Sequence, residues 1–207
     1  VMPTYEHSLL DQTYKAAVAT HIEYGKKLSL PWGISESGYN AFDSHLNYQY
    51  RAFGVPGLGL KRGLAEDIVI APYASALALM VEPEKACFNL EKLAAEGFDG
   101  KFGFYEAIDY TPSRLPHGQS NAVISSYMAH HQGMSLLALS YFLLNRPMQK
   151  RFEAEPLFQS AMLLLQERVP KAVAFYTSPA EFAGPQKETV PTETAVRVFN
   201  TPDTTIP

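Results

Sequence analysis

Apolar residues recur at every third or fourth position in five stretches of the chain, and this spacing is typical of helices with one buried face. Helices are predicted over residues 9–27, 73–80, 83–96, 121–145 and 156–169. Ser8 is a suitable N-cap for the first helix, while Gly97 ends the third helix and Pro147 ends the fourth. The pattern therefore predicts a mainly α-helical protein.

Two stretches between the helices each combine several aromatic side chains with one glutamate. Residues 31–43 contain Glu36 and the only Trp of the chain, and residues 103–115 contain Glu106 next to Tyr105. These stretches are too polar for a core strand and too aromatic for a solvated loop, so we expect loops that form a binding surface. Two carboxylates above a groove with flat aromatic walls are what the cleavage of a glycosidic bond requires.

The remaining segments are predicted to connect these elements. Residues 54–60 contain three Gly and one Pro, which favours a connector rich in turns. Residues 98–104 are predicted to form a small hairpin, because an Asp-Gly turn is followed there by alternating aromatic residues. Helices joined by long aromatic loops are typical of an α/α toroid, of which this chain would form roughly half. Residues 171–207 are predicted to be a linker or the start of a following β domain.

The composition of the chain narrows the classes of molecule that it is expected to bind. Charged residues make up 18% of the chain, below the usual ~25%, aromatic residues make up 12%, and the net charge is −4. Low charge with many Tyr and Phe suits a carbohydrate groove, and the negative balance argues against a nucleic-acid partner. The single cysteine, Cys87, excludes an internal disulfide and is predicted to be a small buried hydrophobe. Because the chain begins at Val1 rather than at Met, we expect it to be part of a longer protein.

Six motifs, in their order and spacing, resemble one known family. They are residues 31–37 (Pro-Trp-Gly-Ile-Ser-Glu-Ser), 48–59 (Tyr-Gln-Tyr-Arg-Ala-Phe-Gly-Val-Pro-Gly-Leu-Gly), 71–74 (Ala-Pro-Tyr-Ala), 103–109 (Gly-Phe-Tyr-Glu-Ala-Ile-Asp), 126–133 (Ser-Tyr-Met-Ala-His-His-Gln-Gly) and 164–170 (Leu-Leu-Gln-Glu-Arg-Val-Pro). Over residues 1–170 the chain resembles the glycoamylase-like domain of cyclic β-1,2-glucan synthases. The resemblance implies an (α/α)6 barrel, of which this chain would be the C-terminal half.

The resemblance also implies an activity. The parent would be a large enzyme of the bacterial inner membrane that extends a β-1,2-glucan from UDP-glucose. Its glycoamylase-like domain, soluble and on the cytoplasmic side, would close that glucan into a ring by a transglycosylation that retains the anomeric configuration and uses no cofactor. The implied partners are β-1,2-glucan and the other domains of the synthase. The alternatives are an endo-β-1,2-glucanase and a non-catalytic glucan-binding module, while a starch-type glucoamylase is disfavoured because the resemblance points to β-1,2 linkages.

The resemblance assigns complementary roles to the two glutamates. Glu36 is the expected acid/base, and Trp32 and Tyr39 would form the apolar wall that keeps its carboxyl protonated. The alternative for Glu36 is a loop glutamate that caps a helix or pairs with Arg51. Glu106 is the expected nucleophile, a carboxylate that stays ionised and attacks the anomeric carbon, and its alternative is a structural ion pair.

Further side chains are expected to bind the glucan through their rings, hydroxyls and charges. These candidates are Trp32, Tyr39, Asp43, Tyr48, Tyr50, Arg51, Tyr105, Asp109, Tyr110, His130, His131 and Gln132. Asp109 either orients a catalytic or sugar group or caps the turn that follows it. No metal is expected at His130 and His131, because adjacent side chains point about 100° apart on a helix and no Glu lies three or four residues away. One imidazole is expected to bond sugar hydroxyls or a catalytic carboxylate, and the other to pack against a loop.

Overall fold

The computed structural model describes residues 4–59 and 62–168, and helix is the main secondary structure of this part, as predicted. Its α-helices are α1 (Leu9–Leu28), α2 (Pro72–Ala78), α3 (Pro83–Ala95), α4 (Ala129–Leu143), α5 (Pro147–Glu153) and α6 (Pro156–Ala161). Short 3-10 helices occupy Leu64–Glu66, Pro112–Arg114 and Met162–Gln166. The predicted linker or β domain at residues 171–207 lies outside the described residues. The assignment to half of an (α/α)6 barrel stays a prediction.

Short strands lie between the helices. They are β1 (Ser37–Phe42), β2 (Tyr48–Arg51), β3 (Val69–Ile70), β4 (Asp99–Gly100), β5 (Gly103–Phe104), β6 (Ala107–Asp109) and β7 (Ala122–Ile124). β1 and β2 form one antiparallel hairpin, and β4 and β5 form the small hairpin that was predicted over residues 98–104. β3, β6 and β7 form an antiparallel sheet with β6 in the middle.

Helix α1 begins and ends at residues that satisfy its free backbone groups. The Ser8 hydroxyl accepts a hydrogen bond from the backbone N–H of Asp11 at 3.2 Å, as expected of an N-cap. Ser29 follows the last turn in the left-handed conformation and donates its own N–H to carbonyls of that turn. The helix predicted over residues 9–27 is therefore confirmed, as are the two predicted over residues 73–80 and 83–96.

A glycine brings α1 close to the segment that follows it. A Cβ atom on Gly25 would lie 2.7 Å from the Cβ of Trp32, so only a residue without a side chain fits this contact. Asn89 of α3 holds the same tryptophan backbone, because its side chain accepts from the Trp32 N–H at 3.1 Å and donates to the Trp32 carbonyl at 2.8 Å. The segment before β1 is thus fixed between α1 and α3.

The helix predicted over residues 121–145 is wrong in its first part. Residues 122–124 form β7, which pairs with β6, and Ile124 is fully buried against that strand. Val123 and Ile124 are β-branched and suit a strand, and this pairing outweighs the helical spacing of the apolar positions. Helix α4 begins only at Ala129. Pro147 does follow its end, but as the first residue of α5, which the sequence analysis did not predict.

The two aromatic stretches are also less irregular than predicted. Residues 37–42 form β1, and residues 107–109 form the central strand β6, whose three residues are all buried. The error arises because β6 carries a buried Asp109, whose charge is matched by Arg114, so its polarity does not mark it as a loop. Residues 31–36 and 110–115, by contrast, do run outside α-helices and longer strands.

The core surrounds the β3–β6–β7 sheet. Its buried side chains are Ile34, Phe53, Val55, Val69, Ile70, Leu93, Phe98, Ala107, Ile108, Tyr110 and Ile124. Cys87 is exposed on α3, so its predicted burial is wrong. The last predicted helix, over residues 156–169, changes into a 3-10 helix after α6. None of the helices in the described part of the chain combines the length and the apolar composition that a membrane span needs.

Candidate active site

Glu106 is placed between β5 and β6 with its carboxylate completely enclosed. Its side chain has no exposed surface, and that of His131 is 2% exposed. The backbone N–H of Gly38 donates to Oε1 at 3.2 Å, and His131 Nδ1 lies 3.0 Å from Oε2 and 2.9 Å from Oε1. Since an ionised carboxylate only accepts hydrogen bonds, the proton in this contact belongs to His131 Nδ1. Glu106 therefore accepts hydrogen bonds from both Gly38 and His131.

His131 lies in the first turn of α4 and is fixed on three sides. Besides Glu106, its ring stacks on the ring of Tyr73, with centroids 3.8 Å apart and an interplanar angle of 12°. Its second nitrogen, Nε2, lies 3.2 Å from the hydroxyl of Tyr50. The carboxylate thus sets the tautomer of the imidazole, and the imidazole presents Nε2 to Tyr50.

The Tyr50 hydroxyl lies close to several polar groups of the site. It lies 3.2 Å from Nε2 of His130 as well as from His131, and within hydrogen-bonding reach of the Glu36 carboxylate. Burial, together with the charges of Glu36 and Glu106 and the neighbouring Tyr73, raises the pKa of Tyr50 to about 12. The phenol therefore keeps its proton throughout the neutral range and remains a hydrogen-bond donor.

Glu36 is exposed and stands just before β1. Its position is fixed through its backbone, because the Tyr73 hydroxyl donates to the Glu36 carbonyl at 3.0 Å and also bonds the Ser35 hydroxyl at 2.7 Å. Trp32 and Tyr39, the expected apolar wall, have described contacts elsewhere. Trp32 packs towards α2 and α3, and the ring of Tyr39 meets Phe53 edge-on at 5.5 Å.

Glu106 and His131 also border a cavity of about 260 Å³ that lies between α2, α3, α4 and β5. Tyr105 and Gln132, two of the candidate residues, line the same cavity, together with Tyr73. The Tyr105 ring lies 5.7 Å from that of Tyr127, on the side of the β4–β5 hairpin. The cavity is therefore a space that borders Glu106 and is lined by several residues of the predicted site.

Asp109 belongs to an ion-pair network beneath the β1–β2 hairpin. Arg114 Nε donates to its Oδ2 at 2.7 Å and Nη2 to its Oδ1 at 3.0 Å. The backbone N–H groups of Asn40 and Thr111 donate to the same carboxylate at 3.0 and 2.9 Å. These contacts favour the second interpretation of Asp109, a carboxylate that caps the turn and holds β1 in place.

Arg51 is part of this network. It pairs with Asp67 at 2.6 Å, and Arg114 donates to the same Asp67 oxygen. Burial alone would raise the pKa of Asp67, but the hydrogen bond from Arg114 and the charges of both arginines outweigh it and lower the pKa. The alternative in which Glu36 pairs with Arg51 is therefore not seen in the described contacts.

Three other candidates lie apart from Tyr50. Asp43 caps the β1–β2 turn, accepting from the backbone N–H groups of His45 and Asn47 at 2.8 and 2.9 Å. The Tyr48 ring lies beside that of Phe42, with centroids 4.7 Å apart and an interplanar angle of 36°. Tyr110 is buried in the core. Their predicted glucan contacts remain predictions. The structure brings Glu36, Tyr50, Glu106, His130 and His131 together, and Tyr105 and Gln132 line the cavity beside Glu106.

Two residues of the site were missed by the sequence analysis. Tyr73 both stacks on His131 and holds the segment that carries Glu36. Gly38 donates its backbone N–H to Glu106, and a Cβ there would lie 3.4 Å from Cγ of Glu106 and 3.2 Å from Ile124. Both stand inside or beside motifs that carried the resemblance, which was the only signal for them. Among the described residues no group of three or more His, Cys, Asp or Glu side chains is arranged to hold a metal ion.

Comparison with known proteins identifies the family. Residues 3–156 match the family model described as "Glycoamylase: Putative glucoamylase". The chain belongs to the glycoamylase-like family. This confirms the resemblance that the six motifs indicated, and it makes the glycoamylase-like chain part of a carbohydrate-active enzyme.

The glycoamylase-like chain is 46% identical over 173 residues to the cyclic β-(1,2)-glucan synthase NdvB of Rhizobium meliloti (strain 1021). The match covers 84% of the chain and 6% of that protein. A solved structure from Bacteroides fragilis NCTC 9343 that carries the family's description matches 78% of the chain and 34% of its own length, at 22% identity and a TM-score of 0.50. At that identity the likeness concerns the fold alone.

An endo-β-1,2-glucanase from Chitinophaga pinensis, solved with sophorotriose and glucose, matches 74% of the glycoamylase-like chain and 33% of its own length. Its identity is 22% and its TM-score 0.48. The glycoamylase-like chain therefore spans about a third of these solved structures and a small fraction of the curated relative.

Proposed function

We propose that the chain is the catalytic part of a transglycosylase that cyclises linear β-1,2-glucan within a cyclic β-1,2-glucan synthase. The observation that carries the proposal is the convergence of Glu36 and Glu106 on one hydrogen-bonded group, Tyr50 with His131, in a chain 46% identical to a protein of that name. The parent would lie in the bacterial inner membrane, with this part of it on the cytoplasmic side as half of an (α/α)6 barrel.

In the first step, Glu36 donates its proton to the glycosidic oxygen as the bond from that oxygen to the anomeric carbon breaks, and the bonding electron pair stays on the oxygen. The ionised Glu106 attacks the anomeric carbon and forms a glycosyl-enzyme. In the second step, a hydroxyl at the far end of the same glucan attacks that carbon. Its proton passes to Glu36, the bond to Glu106 breaks, and a ring with retained configuration is released.

The enclosure of Glu106 bears on this mechanism. The Glu106 side chain has no exposed surface, so an attack requires that neighbouring groups move and uncover one oxygen when substrate enters. The hydrogen bonds from Gly38 and His131 need not break, because each carboxylate oxygen has a second lone pair. The other role open to Glu106 is to orient His131, with a different group as nucleophile. The exposed Glu36 is a carboxyl that an entering glucan can reach in either case.

The test of the reaction uses the full-length protein and linear β-1,2-glucan, with product masses as the readout. Rings are lighter than the corresponding linear glucan by one water, so their appearance supports the transglycosylase. Short linear sugars would indicate an endo-β-1,2-glucanase. Binding without any change in mass would indicate a non-catalytic glucan-binding module.

Variants at the two carboxylates test the assigned roles. Glu36→Gln and Glu106→Gln should each lower turnover by a factor of about 10³ or more, whereas Glu91→Gln, an exposed glutamate on α3, should retain it. Glu106→Ala with added azide should yield a glycosyl azide of inverted configuration, because azide then attacks from the vacated side. If the glycosyl azide of inverted configuration forms with Glu36→Ala and not with Glu106→Ala, Glu106 is not the nucleophile.

A further inference from the structure

The Tyr50 hydroxyl has more partners than a phenol can serve at once as a donor. His130 Nε2 and His131 Nε2 each lie 3.2 Å away, and the Glu36 carboxylate lies within reach. A phenol has one proton to donate and accepts through its oxygen. The hydroxyl must therefore donate to one of these partners and accept from another.

The state of Glu36 decides between two arrangements. His131 Nδ1 donates to Glu106, so Nε2 is the nitrogen that faces Tyr50. When Glu36 is ionised, the hydroxyl donates to its carboxylate and its oxygen accepts N–H bonds from an imidazole. When Glu36 is protonated, it needs no donor, and the hydroxyl turns to the free lone pair of His131 Nε2.

We propose that Tyr50 is a positioning residue that, through His131, couples the proton on Glu36 to the charge on Glu106. This inference rests on the proposed roles of the two glutamates. The chain of contacts runs from Glu106 through His131 to the Tyr50 hydroxyl and on to Glu36. It stabilises Glu36 in its ionised form after the proton has left, which is the form that must then accept a proton from the attacking hydroxyl.

Among the described residues, only a few titratable groups lie close enough to the Tyr50 hydroxyl to influence its hydrogen bonds. The titratable groups that face Tyr50 are Glu36, Tyr73, Glu106, His130 and His131. The nearest arginine along the chain, Arg51, pairs with Asp67 and lies over the rings of Tyr39 and Phe53. Its charge is therefore directed to the other side of β2.

Two variants separate the parts of this coupling in the full-length protein. Tyr50→Phe removes the donor to ionised Glu36, so the basic limb of the pH profile of kcat/KM should move to higher pH by about one unit. His131→Leu removes a donor to Glu106, so the acidic limb should move to higher pH. Tyr141→Phe, the same change towards the end of α4, should leave both limbs in place.

A second measurement does not depend on activity. With Tyr50→3-fluorotyrosine, the fluorine chemical shift should change with pH as Glu36 titrates, and this change should disappear in Glu36→Gln. A pH profile that Tyr50→Phe leaves unmoved, or a fluorine titration that persists in Glu36→Gln, would overturn the coupling, even in a protein that makes rings. If wild-type protein makes no product from the glucan, the proposed function fails, and the fluorine titration still decides the coupling.

Discussion

Asp109 and Glu106 are both buried carboxylates on or beside β6, yet their partners differ in kind. Glu106 faces an imidazole and one backbone N–H, whereas Asp109 faces a guanidinium and two backbone N–H groups. Arg114 cannot lose its proton at ordinary pH, so the charge of its pair with Asp109 is permanent. The partner of Glu106 is an imidazole, a type of side chain that can take part in proton transfer. Asp109 is therefore suited to a structural role, and Glu106 to a catalytic one.

Asp109→Asn should therefore reduce stability. The change removes one charge from a buried pair, which costs about 3 kcal/mol, at the low end of the usual range because Arg114 keeps its contact with Asp67. Urea unfolding followed by circular dichroism measures the loss. Asp43→Asn, at the tip of the β1–β2 hairpin, is the matched control and should lose much less. Equal losses in the two variants would contradict the network as described.

Among the secondary-structure elements, α1 and α4 each contain an internal glycine, and the two glycines meet different surroundings. At Gly25 an added Cβ would meet Trp32 at 2.7 Å, while at Gly133 nothing lies within 4 Å of it. At both positions, alanine stabilises the helical conformation by about 1 kcal/mol relative to glycine. The packing of α1 on the following segment therefore decides the sign of the effect at Gly25.

Gly25→Ala and Gly133→Ala should change stability in opposite directions. The first overpacks a contact with backbone atoms behind it and should destabilise the chain by about 1–3 kcal/mol. The second should stabilise it by about 0.5–1 kcal/mol. Both values follow from the same urea titration. A gain in stability for Gly25→Ala would show that α1 does not pack on Trp32 as described.

Over the whole described part of the chain, exposed apolar side chains are concentrated on the last helices. They include Leu136, Leu139, Phe142, Leu143, Leu144, Met148, Phe152, Leu157, Leu163 and Leu164. We call these residues the apolar set. So many exposed apolar side chains within one stretch of sequence are uncommon on a protein that remains alone in solution. The chain expressed by itself should therefore associate with other molecules.

Sedimentation velocity of the 207-residue chain tests this expectation. Association should increase with concentration, and the double variant Leu143→Lys with Leu144→Lys should weaken it, because two charges then enter the apolar set. Leu46→Lys changes a residue that is 80% exposed at the tip of the β1–β2 hairpin, and it should have no effect. A chain that stays monomeric at every concentration would contradict the prediction.

The sequence predicted the helices that depend on local signals and missed the strands that depend on distant partners. Ser8, Gly97 and the apolar spacing are enough to define α1 and α3. β6 and β7 are visible only once their pairing is known, because each has three residues and β6 ends on an aspartate. Glu36 and Glu106 were found through a resemblance, whereas the stacking of Tyr73 on His131 joins residues from different helices and has no sequence signature.

The contacts around Glu106 have a consequence for how the chain acquires its native form. Gly38 is 68 residues before Glu106, and His131 is 25 residues after it. Contacts between residues so far apart in sequence form slowly, because the entropy cost of closing a long loop comes before the contact can stabilise the chain. On the ribosome, the carboxylate cannot meet its imidazole until α4 has emerged. Helix α1 can fold much earlier, so the region around Glu106 should be among the last parts of the chain to gain protection from hydrogen exchange.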